Sequence, residues 1–95
     1  MDMTKALETR PNAVAFGQII RRLRLERGWT IAELARQSEM HPNYLATMER
    51  GGNTPSLDTI LFLAIVFDAD PAEWVREIAE QYYAGINARL AARGE

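Results

Sequence analysis

The chain has 95 residues, with 11 Lys+Arg against 13 Asp+Glu, one His, no Cys, 47% hydrophobic and 25% charged residues. That length and balance fit one folded domain with a single core, and zero cysteines exclude disulfides, thiolate metal sites and thiol nucleophiles. A lone histidine argues against a histidine metal cluster, and a net charge of −2 counts against nucleic acid, whose binders are usually basic.

Residues 1–12 (MDMTKALETRPN) lack a sustained pattern and are interrupted by Pro11, so they read as a flexible N-terminal arm. Asn12 caps a first helix over about 12–27, with Phe16, Ile20 and Leu23 on one face and Gly28 as its stop. Thr30 caps a second helix over about 31–38, and Glu33 three residues later completes a capping-box pattern. Ile31, Leu34 and Ala35 face its core side. His41-Pro42 opens a third helix, with Pro42 at the first position, where a missing N–H costs nothing. Leu45 and Met48 point inward, and Gly51-Gly52 ends it. Two short helices joined by a tight turn form a helix-turn-helix pattern.

After the loop Gly51-Gly52-Asn53-Thr54-Pro55, Ser56 caps a fourth helix through about Phe67. Asp70, with Pro71 next and Glu73 three residues on, caps a fifth, which either continues to about residue 92 or breaks at Gly85 and folds back. No segment reads as a strand. The expected fold is all-α with five helices: a domain over 13–80 and a C-terminal helical extension over 81–95. No apolar run approaches ~18 residues and the N-terminus lacks a signal-peptide pattern, so a cytoplasmic, non-membrane protein is expected. Charge divides unevenly. Residues 1–52 carry 8 Lys+Arg and 6 Asp+Glu, residues 53–95 carry 3 and 7.

The order of residues over 16–75 resembles the DNA-binding domain of the phage-repressor-like, xenobiotic-response-element family (Cro-repressor-type regulators). The resemblance rests on Phe16, Gly17, Ile20, Leu23 and Arg24, then Gly28, Glu33-Leu34-Ala35, Tyr44-Leu45, Met48-Glu49-Arg50-Gly51, Pro55-Ser56-Leu57 and Trp74. Two positions depart from it. Ile31 stands where the family usually has a glutamine that bonds the DNA backbone. Glu39 stands where the turn usually has glycine, so either the turn bends differently or a non-glycine residue carries the strain.

The resemblance implies that the third helix enters the major groove with its N-terminal residues at base edges. With Leu45 and Met48 inward, the outward positions are Pro42, Asn43, Tyr44, Ala46, Thr47 and Arg50. Asn43 suits adenine N6 and N7, Thr47 a base or a thymine methyl, and Tyr44 a thymine methyl or a phosphate. An exposed polar helix face is the alternative. Backbone contacts fall to Arg36, Arg50, Asn53 and Thr54, with the glycines of the loop admitting their N–H groups to a phosphate; an ordinary helix-ending turn is the alternative there. His41 reads as a cap or turn residue. The resemblance makes Arg24 and Glu49 a partly buried ion pair joining the first helix to the end of the third.

The fourth helix is apolar almost all round, where a surface helix shows a polar face. Leu57, Ile60, Leu63, Ala64 and Phe67 suffice for the core, leaving Leu61, Phe62, Ile65 and Val66 to spare. The fifth adds Trp74, Ile78, Tyr82, Ile86 and Leu90 in steps of four, the last three past the usual domain end. A homodimer interface through Leu61, Phe62, Ile65, Val66, Tyr82, Ile86 and Leu90 is the expectation, with a longer intrachain core as the alternative. The leading function is a sequence-specific, double-stranded-DNA-binding transcriptional regulator, a repressor acting as a homodimer on a palindromic operator. The alternative is an interaction module for a second protein, such as the antitoxin of a toxin-antitoxin pair. No nucleophile-base pair, metal cluster or phosphate loop is present, so neither an enzyme nor a cofactor is expected.

Overall fold

The computed structural model describes residues 10–94, and five helices with no strand occur among them. They are α1 (Arg10–Glu26), α2 (Ile31–Ser38), α3 (Pro42–Glu49), α4 (Leu57–Val66) and α5 (Pro71–Ala92). α1 begins at Arg10, so Asn12 is helical rather than the cap. Pro11 lies in the first turn, where no intrahelical bond is lost. The rest of the expected arm, residues 1–9, lies outside the described residues.

Phe16, Ile19 and Ile20 of α1 meet Leu34, Leu45, Met48, Leu63, Ala64, Phe67 and Trp74 in one buried cluster. Sequence periodicity missed Ile19, Ala13 and Ala15, all buried. α1 packs against both α3 and α5, so it hides a wider arc than one apolar stripe. Gly17 marks the closest approach: a Cβ there would stand 2.3 Å from the Met48 carbonyl oxygen and 2.8 Å from that of Glu49. Phe16 and Phe67 both meet Trp74 edge-on, with centroids 6.0 and 6.3 Å apart. Trp29 stacks on Phe67 at 5.6 Å. The Arg27 guanidinium lies over both rings of that pair and donates to the Phe67 carbonyl.

The helix ends share one device. At Gly28 (φ 69) the α1 carbonyls are closed by Gly28 N–H to Leu25 and Trp29 N–H to Arg24, both 3.0 Å. α4 ends the same way without glycine: Asp68 (φ 50) donates to Ile65 and Ala69 to Ala64. α2 ends on Glu39, held left-handed at φ 56, ψ 28. The helix-turn-helix therefore keeps a glycine-like bend and makes a non-glycine residue carry it.

α4 explains two misplacements. At about 100° per residue, Leu63, Phe67, Ile60 and Ala64 share one arc, and Ile65 lies nearly opposite it. Leu57 sits at the edge of that arc on the first turn and is 67% exposed, not core. Val66, expected on the surface, is half-buried and packs against the core from the other edge. α5 runs unbroken through Gly85, which removes the fold-back alternative. Its apolar steps of four turn by about 40° each, so Trp74 is buried, Ile78 half-buried, and the later members wind away from the body. The protein measures 49 × 23 × 21 Å along its principal axes.

Candidate nucleic-acid interface

α2 is capped by Thr30, whose hydroxyl accepts from Glu33 N–H at 3.1 Å. Only that half of the expected capping box forms as drawn. The Glu33 carboxylate instead accepts from Arg36 Nε (2.9 Å) and Nη2 (2.6 Å) and from Gln37 Nε2 (3.0 Å). These bonds, Arg36 first and Gln37 second, hold the Glu33 carboxyl down at about 2 and raise the Arg36 guanidinium further. Arg36 is thus well exposed but already engaged on its own helix.

Across the turn, Ser38 is buried. Its hydroxyl donates to the Leu34 carbonyl at 2.7 Å and accepts from Met40 N–H at 3.3 Å, bracing the bend between α2 and α3. α3 then starts on His41, whose Nδ1 accepts from Asn43 N–H at 3.0 Å, with Pro42 in the first turn. Leu45 and Met48 are fully buried. Asn43, Thr47 and Arg50 are spaced i, i+4, i+7 and so fall on the opposite face. Arg50 Nη2 reaches Thr47 Oγ1 at 3.4 Å, linking a base candidate to a phosphate candidate. Tyr44 departs from its expected outward position: it is half-buried against the core, because it lies on the flank of the Leu45–Met48 arc.

The loop after α3 corrects a second expectation. Gly51 N–H donates to Met48 and Gly52 N–H to Thr47, at 3.0 and 2.9 Å. Both N–H groups that were to approach a phosphate are consumed in closing the helix. Glycine is still required: Gly51 has φ 74, and a Cβ on Gly52 would lie 2.7 Å from Thr47 Cγ2. Asn53 is half-buried with its Oδ1 enclosed and without a hydrogen-bond partner. Thr54 is exposed and lines a small hollow with Asn12, Pro55 and Val75.

The loop is anchored from below by Arg24. Its Nε and Nη2 donate to Glu49 at 2.7 and 3.0 Å, and Nη1 donates to the Trp29 carbonyl at 2.7 Å. The two side chains are only 9% and 4% exposed. The Glu49 hydrogen bond raises the Arg24 guanidinium, partly opposed by burial. One arginine thus ties the end of α1, the turn before α2 and the end of α3. On the far side, Arg22 pairs with Glu77 at 3.3 Å, fastening α1 to α5.

Away from α3, Leu61, Phe62 and Ile65 are exposed, Ile65 by 76%. Leu61 and Ile65 line a shallow apolar hollow with Ala64, Asp68, Ala69 and Pro71. Tyr82, Ile86 and Leu90 are half-buried along α5. Val75 and Tyr83, not singled out in the sequence, are exposed on the same helix. Among the described residues, no helix is long and apolar enough to cross a membrane, and no group of acidic or histidine side chains could hold a metal ion.

The helix-turn-helix family model matches residues 20–74. Among solved structures, the chain is similar to the clp gene regulator ClgR from Corynebacterium glutamicum. The two are 30% identical, with 74% of this chain and 91% of that one covered and a TM-score of 0.66. A second structure of that regulator gives 28% identity, coverage of 86% and 87%, and a TM-score of 0.67. The restriction-modification controller protein C.AhdI from Aeromonas hydrophila is 38% identical, over 70% of this chain and 94% of that one, with a TM-score of 0.59. No curated protein sequence matches the chain.

Proposed function

Since the chain belongs to this helix-turn-helix family and is a DNA-binding transcriptional regulator, we propose that it acts as a repressor and binds a palindromic operator as a homodimer. α3 reads base edges through Asn43 and Thr47, and Arg50 holds the neighbouring phosphate. Tyr44 contributes its hydroxyl edge rather than its packed ring. Arg36 meets the backbone after sharing or releasing Glu33, and Asn53 and Thr54 meet it from the loop.

The observation that carries the dimer is the apolar surface of α4. Ile65 lies opposite the buried arc and is 76% exposed, with Leu61 and Phe62 beside it at 44% each. Soluble monomers rarely leave such a cluster open. A two-fold interface built on it, extended by Tyr82, Ile86 and Leu90, sets two α3 helices about 34 Å apart, one turn of DNA. Val66 packs into the chain's own core and drops out of that interface.

The charge balance supports the same reading. Between Gly28 and Pro55, the stretch that carries α2 and α3, the only cationic side chains are Arg36 and Arg50, so nonspecific affinity is low and specific binding needs two half-sites. Selection from a random DNA pool is expected to enrich a palindrome. Ile65→Asp is expected to sediment as a monomer at tens of micromolar and to lose the palindrome. A wild-type monomer at that concentration refutes the dimer, and an unstructured pool refutes sequence-specific binding.

A further inference from the structure

The small hollow beside Thr54 is walled by Ala13, Phe16, Ile60, Val75 and Ile78 and encloses about 170 Å³. That is close to the ~150 Å³ apolar cavity that takes up benzene, and gives room for one branched aliphatic side chain. The wall draws on α1, the loop after α3, α4 and α5. Phe16 is 1% exposed there, but Val75 is 50% exposed. An apolar side chain set into the hollow would cover Val75 and leave water itself.

The described chain starts at Arg10, and Ala13 in the wall is three residues further, about 4.5 Å along α1. Leu7 stands three residues before Arg10, at most about 11 Å away along an extended chain. With Ala6 it forms an apolar pair between Lys5 and Glu8. Pro11 opposes a straight continuation of α1 through this segment: it has no N–H for the Leu7 carbonyl, and its ring would clash there. We infer that residues 1–9 are a docking segment whose Leu7 seats in the hollow of its own chain, against Ile60, Val75 and Ile78. Lys5 and Glu8 stay in water. A tether this short makes the contact intramolecular at high effective concentration, so one buried side chain is enough to hold it. The seated segment ties the start of α1 to α5 and braces the loop that carries Asn53 and Thr54, in monomer and dimer alike.

The chain supplies its own probe. Lys5 is the only lysine, so a lysine-specific protease has one site, two residues from the seat. Cleavage of a closed segment tracks how often it opens. Leu7→Asp is expected to speed that cut about 10-fold, the low end for exposing one buried leucine. Val75→Ser, on the other side of the contact, is expected to speed it in the same direction, and a half-exposed position tolerates that change without loss of the fold. In methyl NOE spectra of the full chain, Leu7 is expected to touch Ile60, Val75 and Ile78. Both measurements are repeated in Ile65→Asp, where the expected results are the same.

Equal cleavage rates in wild type and both variants would leave the segment unseated and overturn the inference. Leu7 NOEs seen only between labelled and unlabelled copies, or protection lost in Ile65→Asp, would put the segment on a second copy and overturn the own-chain seat. A small molecule carried by the native protein in mass spectra, with Lys5 cut freely, would give the hollow a different occupant and overturn it as well.

Discussion

Arg24→Ala removes three hydrogen bonds at once and leaves the Glu49 carboxylate, 4% exposed, without its partner. Breaking a buried pair from one side costs about 3–5 kcal/mol, because the remaining charge has neither water nor a counter-ion. In a domain of this size each kcal/mol moves Tm by roughly 4–8 °C. Arg24→Ala should therefore melt at least about 12 °C below wild type, with a matching fall in urea midpoint at constant m. The control is Arg24→Met with Glu49→Leu, in which no charge stays buried. That double variant should be more stable than Arg24→Ala alone. DNA binding is then compared at a temperature where every variant is folded. A loss below about 1 kcal/mol, the size typical of exposed ion pairs, would refute the reasoning. So would a double variant whose cost equals the sum of the two single ones. Weakened binding at unchanged Tm would move Arg24 to the DNA.

Two further outcomes are expected. Glu39→Gly relieves a left-handed residue at φ 56. That strain costs roughly 1–2 kcal/mol, part of it offset by glycine's larger unfolded entropy, so Tm should rise by a few degrees; a fall would mean that the Glu39 side chain itself stabilises the turn. The Glu33 carboxyl is held at about 2, first by Arg36 and then by Gln37. Being depressed on folding, it contributes stability above pH about 4.5 that is lost as pH falls through about 2. Following the Glu33 side chain by NMR should give that low midpoint, and Arg36→Ala should return it toward 4.5, whereas an unmoved midpoint would dissolve the pair.

The helix plan was legible because its punctuation is local. Thr30, His41-Pro42, Ser56 and Asp70 each mark a start through their own chemistry, and all four cap the helices that follow. What lay hidden depends on neighbours distant in sequence. Ile19 is buried because α1 touches two helices rather than one. Leu57 is exposed and Val66 tucked in because the buried arc of α4 is set by where α2 and α5 lie, which an all-apolar segment does not encode. On the interface, the alternation of Leu45 and Met48 picked out the outward positions. Only coordinates reveal that Gly51 and Gly52 N–H groups are spent on α3, or that Arg36 is held by Glu33. His41 was readable as a cap, but the bond its Nδ1 accepts from Asn43 N–H is one that spacing alone does not specify.

The unbroken course of α5 has a mechanical consequence. One rigid rod is seated in the core at Trp74 and carries Leu90 sixteen residues later, about 24 Å along the axis. A tilt of roughly 10° at the seat swings the far end by about 4 Å, slightly more than the ~3.4 Å between successive base pairs. In a dimer joined through that end, the fit of Trp74 between Phe16 and Phe67 becomes a ruler. Repacking those rings would change which half-site spacing the pair accepts, with every base-contacting side chain left untouched.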